Sequence, residues 1–142
     1  VSSGAGPDFQ QAALHHGAAF ADFDNDGRVD AVVSALNSPA KLYRNTTPGD
    51  HHWLALKLRG SRSNRQGLGA SVVVTLPDGR TLHNHATTSV GYASSSEPLV
   101  RFGLGPHPEA KKVEVRWPSG RRQELTNVPA DRIVQVEEPA NP

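Results

Sequence analysis

Short runs of alternating apolar and polar residues, each closed by a turn, are the feature that most restricts the fold of this chain. In residues 53–59 the leucines fall on alternate positions, so they would share one face of a strand. Residues 113–117 alternate in the same way and end at the turn sequence Pro118-Ser119-Gly120. No stretch has the period of a long helix, and the 142 residues include 13 glycines and 11 prolines. These features predict an all-β protein with many turns.

The alternating runs divide into two groups. Before the turn at residues 47–50, three short runs surround one acidic loop, and we assign residues 1–47 to a first unit with a Gly-rich arm at Val1–Pro7. After that turn, residues 48–142 contain seven longer runs, which we interpret as a seven-stranded antiparallel β-sandwich. The seven predicted strands are residues 53–59, 69–76, 80–85, 99–104, 113–117, 123–128 and 133–137.

The acidic loop at residues 22–30 carries carboxylates at its first, third, fifth and ninth positions and glycine at its sixth. Such an oxygen-rich cage, with a sharp turn at Gly27, is what a hard cation such as Ca²⁺ prefers. Four carboxylates this close would repel each other strongly without a cation, although a metal-free turn is the alternative. The predicted calcium ligands are the side chains of Asp22, Asp24, Asp26 and Asp30 and the backbone carbonyl of Arg28.

This loop differs from an EF-hand. Its twelfth position, where an EF-hand places a bidentate glutamate, is Val33. The flanking residues 17–21 and 31–35 have the character of short buried strands rather than of amphipathic helices. We therefore expect the cation to join two strands of a hairpin.

Overall charge and composition exclude several classes of function. The formal net charge is +1, which gives no electrostatic reason to expect a nucleic-acid partner. The absence of cysteine excludes disulfides, thiolate metal sites and cysteine nucleophiles. No apolar run approaches membrane-spanning length, so we expect a chain that does not span a membrane. No pocket of titratable groups is indicated either, and we expect no enzymatic activity.

Two further groups of side chains are candidate binding sites. Arg59, Arg62, Asn64 and Arg65 form a polar segment that could bind an acidic sugar or an acidic protein surface, whereas the simpler interpretation is a solvated turn before a glycine. His83 and His85 would share one face of a strand, but no third metal ligand is identifiable, and hydrogen-bonding histidines are the default. The two tryptophans, Trp53 and Trp117, are expected to pack in a core or at a sheet edge more readily than to bind sugars.

The sequence resembles two known families in succession. Residues 20–27 with Asp30 resemble the calcium-binding FG-GAP/VCBS repeat, the blade unit of integrin-α-like propellers. The rest resembles the ASPIC/UnbV domain that follows such repeats in cartilage acidic protein-like chains and their bacterial relatives. The motifs that carry this second resemblance are Ser63-Asn64-Arg65, Gly67-Leu68-Gly69-Ala70, Phe102-Gly103-Leu104-Gly105 and residues 115–120. The resemblance implies secretion, calcium and adhesion-type interactions, and it supplies no established catalytic residues.

Only one acidic loop is present, although such repeats normally occur in series. One repeat cannot bury both of its faces alone. We therefore expect this unit to pack on the sandwich, to pair with another copy, or to be the last blade of a longer parent. Because the first residue is Val1 and not methionine, a processed or excised C-terminal piece is favoured, with self-association through strand edges as its competitor.

Taken together, the sequence predicts a non-enzymatic, calcium-stabilised interaction or adhesion module that is secreted, extracellular or periplasmic. Its expected partner is a protein or glycan on an extracellular surface. Two alternatives stay open, namely a structural subunit of a larger extracellular or envelope assembly and a carbohydrate-binding module.

Overall fold

A computed structural model describes residues 10–140, so the predicted arm at Val1–Pro7 lies outside the described residues. The described part contains ten β-strands and no α-helix, as the alternation of residues predicts. The strands are β1 His15–Ala21, β2 Asp30–Ala35, β3 Ser38–Tyr43, β4 His52–Arg59, β5 Ser71–Thr75, β6 Thr81–His85, β7 Val100–Gly105, β8 Glu109–Arg116, β9 Arg122–Pro129 and β10 Arg132–Glu137. Within residues 10–140, no helix is long and apolar enough to cross a membrane.

The ten strands form three sheets, with the orders β1-β2-β3, β10-β4-β7 and β6-β5-β8-β9. The first, which we call the N-terminal sheet, is an antiparallel meander around the acidic loop. The other two contain the seven strands predicted after residue 48. The all-β class is thereby confirmed, whereas the division of the chain between residues 47 and 48 stays a prediction.

The hydrophobic core belongs entirely to the two later sheets. Its buried residues lie between Leu54 and Val136, and none comes from the N-terminal sheet. Both later sheets contribute, because alternate positions of their strands point the same way. The largest fully buried side chains are Trp117, Leu54, Leu56, Leu76, Leu104, Val72, Val74, Val100, Val113, Val115 and Val136. The sheets thus share one apolar cluster, and a face-to-face sandwich stays a prediction.

The N-terminal sheet keeps apolar side chains exposed on both faces. Phe20 lies opposite Ala31 and is 42% exposed. Leu42 lies opposite Val32, the next residue of β2, and is 62% exposed. Since successive residues of a strand point to opposite faces, Phe20 and Leu42 are on different faces of the sheet. The blade-like arrangement of this sheet stays a prediction.

One edge of the N-terminal sheet is covered by the long connection between β6 and β7. The backbone N–H of Ala18 donates to Ser94 Oγ (2.9 Å), and that of Phe20 donates to Ser96 Oγ (3.0 Å). The backbone N–H of Glu97 in turn donates to the Phe20 carbonyl (3.3 Å). The serine-rich segment at residues 94–96 therefore attaches the N-terminal sheet to the later strands.

The prediction that the later strands are all antiparallel is wrong at one pairing. β10 runs parallel to β4, with Arg132 opposite Leu54 and Glu137 opposite Arg59. The cause is the two-residue connection after β9, where Asp131 has a φ of 57° and its backbone N–H donates to the Trp53 carbonyl (2.7 Å). This turn moves the chain into the other sheet and starts β10 beside the start of β4.

Candidate metal centre

Three aspartates of the acidic loop come together at its base. One carboxylate oxygen from each of Asp22, Asp24 and Asp30 lies within 4.8 Å of the others. Asp22 and Asp30 are 7% and 3% exposed, whereas Asp24 is exposed. The positions follow from the hairpin, because Ala21 at the end of β1 pairs with Asp30 at the start of β2. The sequence therefore places one buried carboxylate directly after β1 and the other at the start of β2.

The buried carboxylates also fold the loop through hydrogen bonds to its backbone. Asp22 accepts from the N–H groups of Asp26 (3.0 Å) and Gly27 (2.9 Å). Asp30 accepts from the N–H groups of Phe23 (3.0 Å) and Asn45 (2.7 Å). The loop is thus held in a turn by two of the carboxylates that are predicted to bind calcium. A metal-free turn would be stabilised by the same kind of hydrogen bond.

Asp26 lies outside the cluster of three. It accepts hydrogen bonds from the Arg28 backbone N–H (2.8 Å) and from Arg28 Nη1 (2.9 Å). The backbone hydrogen bond is the main reason why the pKa of Asp26 is below its ordinary value. Arg28 also donates from Nε to the Thr47 carbonyl (3.0 Å). The assignment of Asp26 and the Arg28 carbonyl as calcium ligands stays a prediction.

Arginines from outside the loop compensate part of its charge. Arg44 Nη2 lies 2.6 Å from Asp24 Oδ2, and Arg101 Nη1 lies 3.5 Å from Asp22 Oδ2. The guanidinium of Arg101 also forms an ion pair with the carboxylate of Glu97. The mutual repulsion of the carboxylates is therefore reduced even without a cation, although the donor set still consists only of oxygens. Such a set fits a hard cation such as Ca²⁺ and suits soft metals poorly.

The loop rests on an aromatic side chain of β4. Gly27, with a φ of 88°, faces the indole of Trp53 so closely that a Cβ would fall 2.0 Å from Trp53 Nε1. The guanidinium of Arg101 lies 5.6 Å from the centroid of the same ring. The contact of Gly27 with Trp53 and the ion pair of Arg101 with Asp22 thus join the acidic loop to β4 and β7. A cleft of about 710 Å³ opens beside this junction, with walls from Arg28, Trp53 and Asp131.

Comparison with known proteins supplies the family. Residues 60–142 match the family described as ASPIC and UnbV. The chain belongs to this family.

Curated relatives agree with that membership. Cartilage acidic protein 1 from Mus musculus and the same protein from Homo sapiens are each 32% identical to this chain over 108 residues, and that from Xenopus tropicalis is 30% identical. Each match covers 74% of this chain and 16% of the relative, so the chain spans about a sixth of their length. The matched family region begins after the acidic loop, and the resemblance of that loop to an FG-GAP/VCBS repeat stays a prediction.

Within the ASPIC and UnbV region, the structure shows a carboxylate that sequence reasoning missed. Glu138, only 3% exposed, accepts the backbone N–H groups of residues 61–63 on one oxygen, each at 2.8 Å. Its other oxygen accepts from the hydroxyls of Ser63 and Ser119. Burial alone would raise the pKa of Glu138, but these hydrogen bonds outweigh it and hold the pKa well below its ordinary value.

The polar segment before Gly67 forms a turn that is held mainly by backbone hydrogen bonds. Gly67 N–H donates to the Asn64 carbonyl (2.7 Å), which is the turn expected from the simpler interpretation. Arg59 and Arg65 line one shallow depression of about 250 Å³, and Arg62 and Asn64 are not among its lining residues. Ligand binding by these four residues stays a prediction.

The histidines and the second tryptophan take ordinary roles in the described part of the chain. His83 Nε2 lies 3.2 Å from Thr81 Oγ1, and the one metal-compatible cluster among residues 10–140 contains no histidine. Trp117 is 1% exposed, and its indole N–H donates to Gln123 Oε1 (3.3 Å). Trp117 is a core residue, as expected from its sequence context.

Proposed function

We propose that this chain is a non-enzymatic, calcium-stabilised interaction module. The observation that carries the proposal is the contact between the acidic loop and Trp53, because it makes the shape of the ASPIC and UnbV surface depend on the loop. Asp22, Asp24 and Asp30 would hold the cation, with Asp26 and the Arg28 carbonyl as further predicted ligands. When bound, calcium supplies positive charge that offsets the mutual repulsion of these carboxylates.

The protein's own residues transmit the state of the loop. Gly27 is fixed between Asp22, which accepts its N–H, and the indole of Trp53. Arg101 joins Asp22 to the same indole from the β7 side. A loop held firmly by its carboxylates therefore keeps Trp53 and the adjoining cleft in one arrangement.

A secreted, extracellular or periplasmic location and a protein or glycan partner complete the proposal. Arginines neutralise part of the negative charge of this site, so the site is expected to bind calcium weakly. A weak site can still be filled at extracellular calcium concentrations. The uncompensated charge of the whole chain is small, and the proposed partner is therefore recognised by shape and local hydrogen bonds.

The proposal is tested by calorimetric calcium titration of the full chain and of Asp24→Asn. Asp24 is exposed and makes none of the backbone hydrogen bonds that fold the loop, so the variant is expected to fold and to bind calcium at least about tenfold more weakly. Asp78→Asn, in the turn between β5 and β6, is the matched control and should bind like the parent. Equal affinity for the parent and Asp24→Asn would reject the site.

A second candidate function is assembly through the N-terminal sheet. It is favoured by the exposure of Phe20 and Leu42 on opposite faces of a sheet that contributes nothing to the core. Sedimentation velocity with calcium and with chelator tests it. Self-association that Leu42→Gln abolishes would support assembly, and a monomer at all concentrations would exclude it.

A further inference from the structure

Four donor side chains form one row across the outer face of the sheet β6-β5-β8-β9. His85 lies opposite Ser71, Ser71 opposite Arg116, and Arg116 opposite Arg122. Directly opposed residues of neighbouring strands share a face of the sheet. The row therefore crosses all four strands, over roughly 14 Å.

None of these four side chains has a hydrogen-bond or ion-pair partner among the residues that the structure describes. In the next row Glu114 lies opposite Glu124, and Lys112 Nζ lies 2.9 Å from Glu114 Oε2 and 3.8 Å from Glu124 Oε2, so these carboxylates already have a cation. Their Oε1 atoms stay available as acceptors. Arg116 and Arg122 are left directly opposite each other. Like charges in that position destabilise a sheet, which is the arrangement expected where an outside anion supplies the missing partner.

The two rows border one shallow depression of about 420 Å³. Ser71, Arg116 and Arg122 line it with donors, while Glu114 and Glu124 line it with carboxylate acceptors. A paired guanidinium fork matches the geometry of a carboxylate or sulfate group. The acceptors beside it match hydroxyl groups.

We propose that this depression binds an acidic sugar unit of a glycan chain, with its carboxylate or sulfate on Arg116 and Arg122 and its hydroxyls on Glu114 and Glu124. A densely charged polyanion fits less well, since the row of glutamates would repel it. An acidic peptide also fits less well, because it offers few hydroxyls to the glutamates. The depression lies apart from the acidic loop, so this inference goes beyond the calcium-dependent function and does not depend on it.

The test is calorimetric titration with trigalacturonate in calcium-free buffer, which keeps the calcium site out of the measurement. The fully methyl-esterified trisaccharide is the matched ligand, because it has the same hydroxyls without charge. We expect the acid form to bind and the ester to bind at least about tenfold more weakly. Arg116→Gln and Arg122→Gln should each weaken binding of the acid form by a similar factor and leave the circular dichroism spectrum unchanged.

Arg132→Gln is the control variant, because it removes an exposed arginine of β10, which lies in another sheet. It should bind like the parent. The proposal is overturned if the double variant Arg116→Gln/Arg122→Gln binds trigalacturonate like the parent, or if acid and ester bind equally. Binding of triglutamate as tightly as trigalacturonate would overturn the assignment to a glycan and indicate an acidic peptide.

Discussion

Gly27 and Trp53 are in contact so close that no larger residue than glycine fits between the acidic loop and the β4 indole. A methyl group at Gly27 would lie 2.0 Å from Trp53 Nε1 and 2.3 Å from Trp53 Cδ1. The backbone of Gly27 also has a φ of 88°, which side chains disfavour. Two independent physical reasons thus require glycine at the sixth position of the loop.

Gly27→Ala is predicted to destabilise the protein by more than a left-handed backbone alone would cost. The backbone contributes about 1–2 kcal/mol and the overlap with Trp53 about 1–3 kcal/mol more. Urea denaturation measures the sum. Gly79→Ala is the matched control, because Gly79 has a φ of 89° and no atom within 4 Å of its added Cβ.

A double-mutant cycle with Trp53→Ala tests whether the additional destabilisation by Gly27→Ala comes from the overlap with the indole. Removing the indole should lower the cost of Gly27→Ala to that of Gly79→Ala. If the two glycine variants lose equal stability in the parent background, the contact between loop and indole contributes nothing.

Arg44→Gln is predicted to strengthen calcium binding. Arg44 Nη2 lies 2.6 Å from Asp24 Oδ2 and therefore competes with a cation for that oxygen. Removing this charge should raise the affinity about three- to tenfold, measured by calorimetry at low salt. Arg59→Gln is the control, since both arginine side chains are 64% exposed and Arg59 pairs with Glu137 instead. A weaker affinity in Arg44→Gln would mean that Arg44 supports the site rather than competing for it.

Residues 48–142 are predicted to fold without the N-terminal sheet. Every buried residue of the hydrophobic cluster lies in this part of the chain, so deletion of residues 1–47 removes no core side chain among those that the structure describes. The deletion should give a soluble domain with cooperative thermal unfolding and a more solvent-exposed Trp53 by fluorescence. An insoluble product would show that the two parts depend on one core.

Glu138→Gln is predicted to lower stability at neutral pH, and the difference should shrink in acid. The folded pKa of Glu138 is below its ordinary value of 4.5, so its carboxylate stabilises the fold fully above pH 4.5. That contribution is lost as the pH falls from 4.5 toward the lower pKa of the folded state. Denaturation curves of both proteins between pH 7 and pH 3 measure the difference. A difference that is independent of pH would mean that the lost interaction is not ionic.

The local pattern of the sequence is enough to predict part of this structure. Period-two alternation gives the strands, since it depends only on neighbouring residues, and the spacing of Asp22, Asp24 and Asp30 gives the metal-compatible cluster. Contacts between distant residues have no local signal, as with Glu138 and the backbone of residues 61–63. The parallel pairing of β10 was missed for the same reason, because a strand has the same alternation in either direction.

The pairing of β4 with β10 has a consequence during synthesis of the protein. β4, which precedes the matched family region, hydrogen-bonds to β10 near the end of that region, so their sheet can be completed only after β10 has left the ribosome. Until then the leucines of β4 lack one neighbouring strand. Assembly of this sheet is therefore expected to wait for the synthesis of β10, with a rate limited by closing one long loop of the chain.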